Sequence, residues 1–197
     1  MRAISIKLLP LACIAGLAAL TGGCGDLIRQ DRSSSILVID ALQAASGASD
    51  TLRFSGTLQS DVETGGGVFS DPGQVTMRVI PKDLASPIGP SNTVTITRYL
   101  VKFRRTDGRD TPGVDVPYPF DSAMTFTVTS PTNGTTGSFE LIRHNAKFEQ
   151  PLLGLVNSFV TLSTIADITF VGRDQAGRDL SATGSIGVQF GNFADPD

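Results

Sequence analysis

The chain has 197 residues, of which 16 are lysine or arginine and 19 are aspartate or glutamate, so its net charge is −3 at pH 7. This mildly acidic balance gives no support to nucleic-acid binding, because nucleic acids are bound by clusters of basic residues. The two cysteines and single histidine exclude a disulfide-stapled scaffold and argue against a zinc site.

The first 23 residues have the three parts of a signal peptide. Arg2 and Lys7 supply the basic part, Leu8–Leu20 the apolar part, and Thr21–Gly23 place small side chains before Cys24. The apolar part is too short for a transmembrane helix, which needs about 20 residues. Small residues followed by cysteine are typical of bacterial lipoproteins, so we expect residues 1–23 to be removed and Cys24 to carry acyl groups such as palmitate. The alternative is an ordinary secretory signal followed by an incidental cysteine.

Removal of this segment also removes Cys13, so the mature chain would contain no disulfide. It would keep 14 basic and 19 acidic residues, which gives a net charge of −5. Residues 24–35 are polar and end in three serines, and they predict a lipidated tether; residues 36–197 then form one domain. We expect the protein to be lipid-anchored outside the cytoplasm, on the cell membrane or the outer membrane. Gly25, where an aspartate would favour inner-membrane retention, favours the outer membrane.

The remainder of the chain predicts an all-β domain. Glycine, proline, asparagine and aspartate recur every 8 to 15 residues, and the intervals are rich in valine, isoleucine, threonine and phenylalanine. The candidate strands are Ile36–Ala41, Leu52–Gln59, Gln74–Pro81, Thr93–Arg104, Ala123–Thr129, Ser138–His144, Thr164–Arg173 and Ala182–Phe190.

Three shorter segments predict local structure. Residues 147–157 have a weak helical period that Pro151 interrupts, which indicates one short helix or a turn-rich crossover. Asn133-Gly134 is a strong turn signal and predicts that the strands on either side of residues 131–137 pair as a hairpin. Gly65–Gly67 has no side chains to pack and indicates a mobile loop or a bulge.

Two segments carry a family resemblance. Ile96-Thr97-Arg98-Tyr99-Leu100-Val101-Lys102-Phe103-Arg104 resembles the third strand of fibronectin type III domains, in which an aromatic, an aliphatic and a second aromatic residue alternate onto the core. Residues 168–179, with the turn Asp174-Gln175-Ala176-Gly177-Arg178, resemble the last hairpin of bacterial Ig-like domains. Taken whole, the chain is similar to uncharacterised bacterial lipoproteins. The resemblance implies a fold and a location, and it attaches no activity.

The residues offer little support for catalysis. His144, the only histidine, lies late in a predicted strand, where a surface or half-buried role is more common than a catalytic one. The chain contains no Gly-x-Ser-x-Gly motif, and Gly65–Gly67 is not followed by the lysine and helix of a phosphate-binding loop. Glycosidase chemistry commonly needs an aromatic sugar platform, and the chain has no tryptophan and two tyrosines.

The long loop over residues 106–121 is the strongest candidate site. Its carboxylates Asp107, Asp110 and Asp115 are candidate calcium ligands, because calcium prefers carboxylate and carbonyl oxygens in irregular geometry. The competing interpretation is a solvated loop whose aspartates pair with the neighbouring arginines. Tyr118 and Phe120 form either an exposed contact patch or a plug for the end of the domain, and we favour the plug.

We therefore expect a single antiparallel β-sandwich of the Ig or fibronectin type III kind, with seven to nine strands. The predicted function is that of a non-enzymatic module, anchored by lipid at Cys24, which binds another envelope protein or polymer through its end loops or an edge strand. The alternative is a calcium-dependent or carbohydrate-binding Ig-like module. No other cofactor is expected.

Overall fold

The computed structural model describes residues 33–83, 85, 89–129 and 131–193. They form eight strands, in agreement with the predicted all-β sandwich, and three short 3-10 helices over Pro90–Asn92, His144–Phe148 and Leu152–Leu155. The strands are β1 (Ser35–Ala44), β2 (Thr57–Asp61), β3 (Asp71–Pro81), β4 (Val94–Arg104), β5 (Phe120–Val128), β6 (Thr135–Ile142), β7 (Leu162–Asp174) and β8 (Asp179–Gly191).

The strands form two sheets that pack face to face. The first sheet has the order β1-β3-β6, and the second has the order β2-β8-β7-β4-β5. All neighbours are antiparallel except β2, which runs parallel to β8 from Thr57 opposite Gly187 to Asp61 opposite Gly191. Each sheet buries one face, as the alternation of buried and exposed residues along β3 and β7 requires.

In β4, the buried residues change from even-numbered to odd-numbered positions partway along the strand. Val94 and Ile96 are buried at even positions, whereas Tyr99, Val101 and Phe103 are buried at odd ones. The register of β4 against both neighbours shifts between Ile96 and Arg98, so a β-bulge supplies the extra residue. The bulge keeps both apolar sets on the core face, and the three alternating residues predicted from the sequence do face the core.

Three aromatic rings join the two sheets at the centre. The ring of Phe139 in β6 lies 5.2 Å from that of Tyr99 and 5.3 Å from that of Phe170, both from the opposite sheet. Edge-to-face pairs at these distances add about 0.5–1.5 kcal/mol each beyond the area they bury. Phe139 fits because Gly73 lies below it, where an added Cβ would stand 2.5 Å from the ring.

The hydroxyl of Tyr99 links this aromatic cluster to the backbone of β6 through hydrogen bonds. It donates a hydrogen bond to the carbonyl oxygen of Glu140 at 2.9 Å and accepts one from the Glu140 N–H at 3.2 Å. We expect Tyr99→Phe to lower the free energy of unfolding by about 1–2 kcal/mol, because both backbone groups lose a partner. Tyr118→Phe, at a tyrosine that is 47% exposed, is the matched control and should cost less than about 0.5 kcal/mol in the same urea titration. Equal losses would contradict the assignment.

The predicted hairpin across residues 131–137 is wrong. β5 pairs with β4 and β6 pairs with β3, so the two strands belong to different sheets. They meet through side-chain packing instead of a hydrogen-bonded ladder: an added Cβ at Gly137 of β6 would lie 2.6 Å from the Phe126 ring of β5. The Asn133-Gly134 signal correctly marks a reversal, but the chain crosses between sheets there.

Two other local predictions differ from the structure. Gly65 and Gly66 have φ of 55° and 79° and form the centre of a two-residue turn, which is closed by reciprocal hydrogen bonds between Thr64 and Gly67. This is a tight turn, neither a loose loop nor a bulge. Between β6 and β7, the chain forms two 3-10 helices separated at the cis Gln150-Pro151 bond, which matches the turn-rich crossover.

The predicted tether is shorter than expected. Ser33 and Ser35 are buried. Ser33 Oγ donates a hydrogen bond to Asp174 Oδ2 at 3.0 Å, and Asn92 Nδ2 donates one to Ser35 Oγ at 2.8 Å. The last three residues of the predicted segment 24–35 therefore belong to the domain, because their short hydroxyl side chains satisfy polar groups at the start of β1.

Candidate functional site

The strand registers give the sandwich two distinct ends. At the end where β1 begins, which we call the N-terminal end, Ser35 lies opposite Pro81 and Val94 opposite Asp174. At the opposite end, which we call the far end, Ala44 lies opposite Gly73 and Arg104 opposite Ile165. The connections β2–β3, β4–β5 and β6–β7 all lie at the far end, whereas β3–β4, β5–β6 and β7–β8 lie at the N-terminal end.

Exposed apolar side chains are concentrated at the far end. Nine large apolar side chains are exposed among the residues that the structure describes, and seven of them belong to the three far-end connections. The seven are Phe69, Val114, Tyr118, Phe148, Leu153, Phe159 and Val160. Phe159 is fully exposed, and it is followed directly by Val160. Scattered exposed apolar residues are ordinary, but their concentration on one end indicates a contact surface.

The three candidate calcium ligands lie at this end but are engaged separately. Asp107 accepts hydrogen bonds from the Arg105 and Arg109 guanidinium groups, at 2.7–3.0 Å. The Arg105 donors, aided by those of Arg109, lower the pKa of Asp107 to about 2. Asp110 accepts from the Arg105 N–H at 2.7 Å, and Asp115 accepts from the Thr111 N–H at 3.3 Å.

These contacts stabilise the loop and leave no assembled metal site. Within the described ranges, no group of three or more histidine, cysteine, aspartate or glutamate side chains is placed to hold a metal ion. The structure thus does not bring Asp107, Asp110 and Asp115 together, because each carboxylate instead closes its own short turn. Asp107 pairs with two arginine side chains, whereas Asp110 and Asp115 accept from backbone N–H groups.

We expect millimolar calcium to leave the melting temperature of the protein unchanged. Arg105 donates to Oδ1 and both arginines donate to Oδ2 of Asp107, so an ion would have to displace them before it gained a ligand. A thermal-shift titration with calcium, and a parallel one with a chelator, measures this directly. A calcium-dependent rise that Asp107→Asn abolishes would restore the ion site.

Phe120 and Tyr118 have different roles, one as a plug of the core and the other as part of the exposed surface. Phe120 is half-buried, its ring lies 6.1 Å from that of Tyr99, and the Arg143 guanidinium lies 4.4 Å from its centroid. Phe120 therefore plugs the end of the core. Tyr118 is exposed and covers Gly113, which has φ of 75° and no room for a Cβ beside the Tyr118 hydroxyl. Tyr118 thus contributes to the exposed surface.

His144 is not in a strand. It begins the 3-10 helix after β6, because β6 ends at Ile142, and its side chain is exposed. Its ring lies 5.0 Å from that of Phe148, and Nδ1 lies 3.4 Å from Asn145 Oδ1. In this part of the described chain, the ring hydrogen-bonds to an amide and to no hydroxyl or carboxylate.

A buried polar cluster lies below the far end, and the sequence analysis missed it. Lys147 Nζ lies 3.0 Å from Asp71 Oδ2, and both side chains are completely buried. Ser60 Oγ donates a hydrogen bond to Asp71 Oδ2 at 2.6 Å, and the Gly47 N–H donates one to Asp71 Oδ1 at 2.9 Å. Lys147 also donates to the Asp61 carbonyl oxygen at 2.6 Å.

Burial dominates the electrostatics of this cluster. It raises the pKa of the Asp71 carboxyl above its usual range, even though the Lys147 charge and the donors Ser60 and Gly47 act in the opposite direction. Gly47 reaches the carboxylate because it has no side chain: an added Cβ would stand 1.8 Å from the Ser70 carbonyl oxygen. The cluster thus requires a glycine at this position.

An open cleft of about 900 Å³ adjoins the cluster between the end of β1 and β2. Small and polar residues line most of it, with Asp50, Arg53 and Asp61 as its charged members and Phe193 as its aromatic one. One aromatic ring is a poor platform for a sugar, so the geometry of this cleft does not favour the carbohydrate-binding alternative.

The predicted lipidation site Cys24 and the signal segment 1–23 lie outside the described residues. In the part of the chain that is described, no helix is long and apolar enough to cross a membrane. Comparisons with protein-family models, with curated proteins and with solved structures give no match for this chain.

Proposed function

We propose that this protein is a lipid-anchored, non-enzymatic module of the cell envelope that binds another envelope component through its far end. The observation that carries the proposal is that, of the nine large apolar side chains exposed in the described part of the chain, seven lie in connections at that end. A contact through the end loops is favoured over one through an edge strand because the exposed apolar area lies on the loops.

The position of β1 supports this orientation. Ser33 is the first described residue of the sandwich, so eight residues separate it from Cys24. Even fully extended, the nine Cα–Cα steps from Cys24 to Ser33 span at most about 30 Å. The N-terminal end is then held next to the membrane. β7 has 13 residues and is roughly 40 Å long at about 3.3 Å per residue, so the far end points away from the membrane surface.

The chemistry of the far end indicates the kind of partner. Phe148, Leu153, Phe159 and Val160 come from the single connection between β6 and β7. Their burial in a contact would be favourable by about 25 cal/mol for each Å² of apolar area. Charged residues of both signs, such as Arg109 and Asp115, lie in the β4–β5 connection at the same end. An apolar centre with a mixed polar rim is typical of protein interfaces, so we infer a protein partner.

The strand order supports the Ig-like part of the proposal. β1, β3 and β6 share one sheet, and β4, β5, β7 and β8 share the other. When β1 is strand A, these correspond to strands A, B and E, and to strands C, C′, F and G, of an immunoglobulin sandwich that has an extra strand beside C. The correspondence supports the fold and not the choice of end, because the B–C and F–G loops that bind ligands in immunoglobulin variable domains correspond to β3–β4 and β7–β8 at the N-terminal end.

Cross-linking in intact cells tests the proposal. The wild-type protein is expected to give discrete cross-linked species of higher mass, and Phe159→Ser combined with Val160→Ser is expected to remove them. Ile36→Ser is the matched control, because Ile36 is an exposed apolar residue near the N-terminal end. Species that survive the far-end substitutions, or that disappear equally with Ile36→Ser, would contradict binding through the far end.

A further inference from the structure

The buried pair of Lys147 and Asp71 places an amine and a carboxyl group in direct contact, away from the protein surface. Nζ and Oδ2 are 3.0 Å apart, and neither side chain is exposed. The three groups that hydrogen-bond to them are the Gly47 N–H, the Asp61 carbonyl oxygen and the short side chain of Ser60. A nucleophile held against an electrophile in this way can react with effective molarities of about 10⁵–10⁸ M.

We propose that Lys147 Nζ and Asp71 Cγ condense to form an intramolecular isopeptide bond. The reaction joins the amine and the carboxyl as an amide and releases one molecule of water. It needs no oxidant, reductant or cofactor. The site differs from the far-end surface described above, and the proposal does not depend on the binding function.

The steps balance as follows. Lys147 first transfers a proton to Asp71 Oδ2, which yields a neutral amine and a neutral carboxylic acid. The nitrogen lone pair then attacks Cγ, and the C=O π electrons move to Oδ1. When the tetrahedral intermediate collapses, a C=O bond to Oδ1 forms again and the bond between Cγ and Oδ2 breaks. Oδ2 takes a second proton from the nitrogen and leaves as water.

The groups around Asp71 suit these steps. The Gly47 N–H points to Oδ1, where negative charge develops, and backbone donors in that position stabilise such intermediates. Ser60 Oγ donates to Oδ2, the departing oxygen. The Asp61 carbonyl oxygen orients Nζ through a separate hydrogen bond. Burial raises the pKa of Asp71, which favours the neutral acid that the first proton transfer produces.

The energetics favour the product. A buried ion pair carries the desolvation penalty of two charges, and replacing such a pair by well-packed apolar residues is often neutral or stabilising. The amide removes both charges and keeps an acceptor for the Gly47 N–H. It also closes a chain loop from residue 71 to residue 147, which restricts the unfolded state as a disulfide would. A mature chain whose sole cysteine is Cys24 has no disulfide of its own to do this.

Peptide mapping of the full chain purified from its cells tests the proposal. Asp71 lies in the tryptic peptide 54–78, and Lys147 ends the peptide 144–147. Trypsin does not cleave after an acylated lysine, so the cross-linked protein should yield a branched peptide that joins 54–78 to 144–173. Its mass should be that of the two linear peptides minus one water. The map does not depend on the N-terminal processing of the chain.

Two variants provide controls. Lys147→Arg keeps the charge and should yield only linear peptides. Ser60→Ala should slow formation of the branched peptide in a time course of freshly synthesised protein, because it removes the donor to the departing oxygen. The proposal is overturned if wild-type protein yields linear 54–78 and free 144–147 at every time, or if Lys147 is joined to a residue other than Asp71.

Discussion

Replacement of Lys147 by methionine is expected to lower the free energy of unfolding by about 3–5 kcal/mol. The substitution leaves Asp71 completely buried without its cation, with Ser60 and Gly47 as its remaining partners. The loss is expected whether the two groups are joined by charge or by an amide, since the methionine can supply neither. For a domain of this size, a loss of this kind lowers the melting temperature by roughly 10 °C.

Arg78→Met is the matched control for this prediction. Arg78 also pairs with one aspartate, Asp40, at 2.7 Å, but the two side chains are 39% and 29% exposed. Water screens such a pair, so its loss should cost about 1 kcal/mol or less. Urea denaturation of the three proteins at neutral pH measures both changes. Similar losses for the two variants would show that Lys147 and Asp71 are not a buried pair.

A double substitution separates the penalty of an isolated charge from the value of the pair. Lys147→Met combined with Asp71→Leu removes both charged groups and fills the space with apolar atoms. We expect it to recover a large part of the stability that Lys147→Met loses, because the uncompensated carboxylate is gone. If the double variant is no more stable than Lys147→Met, the stability lost in Lys147→Met comes from changed packing and not from the isolated charge of Asp71.

The second large effect is expected at the predicted anchor. Cys24→Ala should abolish incorporation of labelled palmitate, because no other residue of the chain occupies a lipoprotein processing site. Acyl chains contribute about 0.8 kcal/mol for each buried methylene, and two or more give lasting attachment to a membrane. Metabolic labelling followed by immunoprecipitation measures the change.

Cys13→Ala is the control for this experiment. Cys13 lies in the segment expected to be removed, so its substitution should leave the label unchanged. Label that persists in the Cys24→Ala protein, or its absence from the wild type, would contradict the interpretation of the signal segment. The ordinary secretory signal would then be the better interpretation.

Each of the eight strands overlaps a strand predicted from the sequence, and alternation of buried and exposed residues is clearest in β3 and β7. The least accurate prediction was for β2, where Leu52–Gln59 was expected and Thr57–Asp61 is observed. β2 pairs along only five residues of β8, and so short a strand has little alternation to reveal it. The bulge in β4 was not predicted. Apolar residues occur at both even and odd positions of this strand, so the sequence does not show where the buried face changes from one set to the other.

Pairing between strands was less predictable than their existence. Asn133-Gly134 has the chemistry of a hairpin turn, but the Phe126 ring packs over Gly137 and holds β5 and β6 face to face. A turn residue permits a reversal of the chain, whereas the packing of both faces decides which sheet each strand joins. Ser33 and Ser35 were also misjudged from local sequence. Their polarity predicts an exposed tether, but both are buried and form hydrogen bonds with Asp174 and Asn92.

The candidate site could be predicted only in part. The long β4–β5 loop was recognised; Asp107 pairs with two arginines, whereas Asp110 and Asp115 accept hydrogen bonds from backbone N–H groups, which their residue types do not predict. The far-end surface was not recognised, because its residues come from three connections that are distant in sequence. Only the strand order shows that these connections lie at the same end. The pair of Lys147 and Asp71 is separated by 76 residues, and no local pattern marks either residue as buried.

Photo-cross-linking from single positions in intact cells tests the central claim most directly. A photoreactive residue at position 159, at the far end, is predicted to capture one discrete partner protein. The same residue at position 175, in the exposed turn at the N-terminal end, is predicted to capture none of it. Capture of that partner from position 175 and not from position 159 would contradict the assignment of the far end as the binding surface.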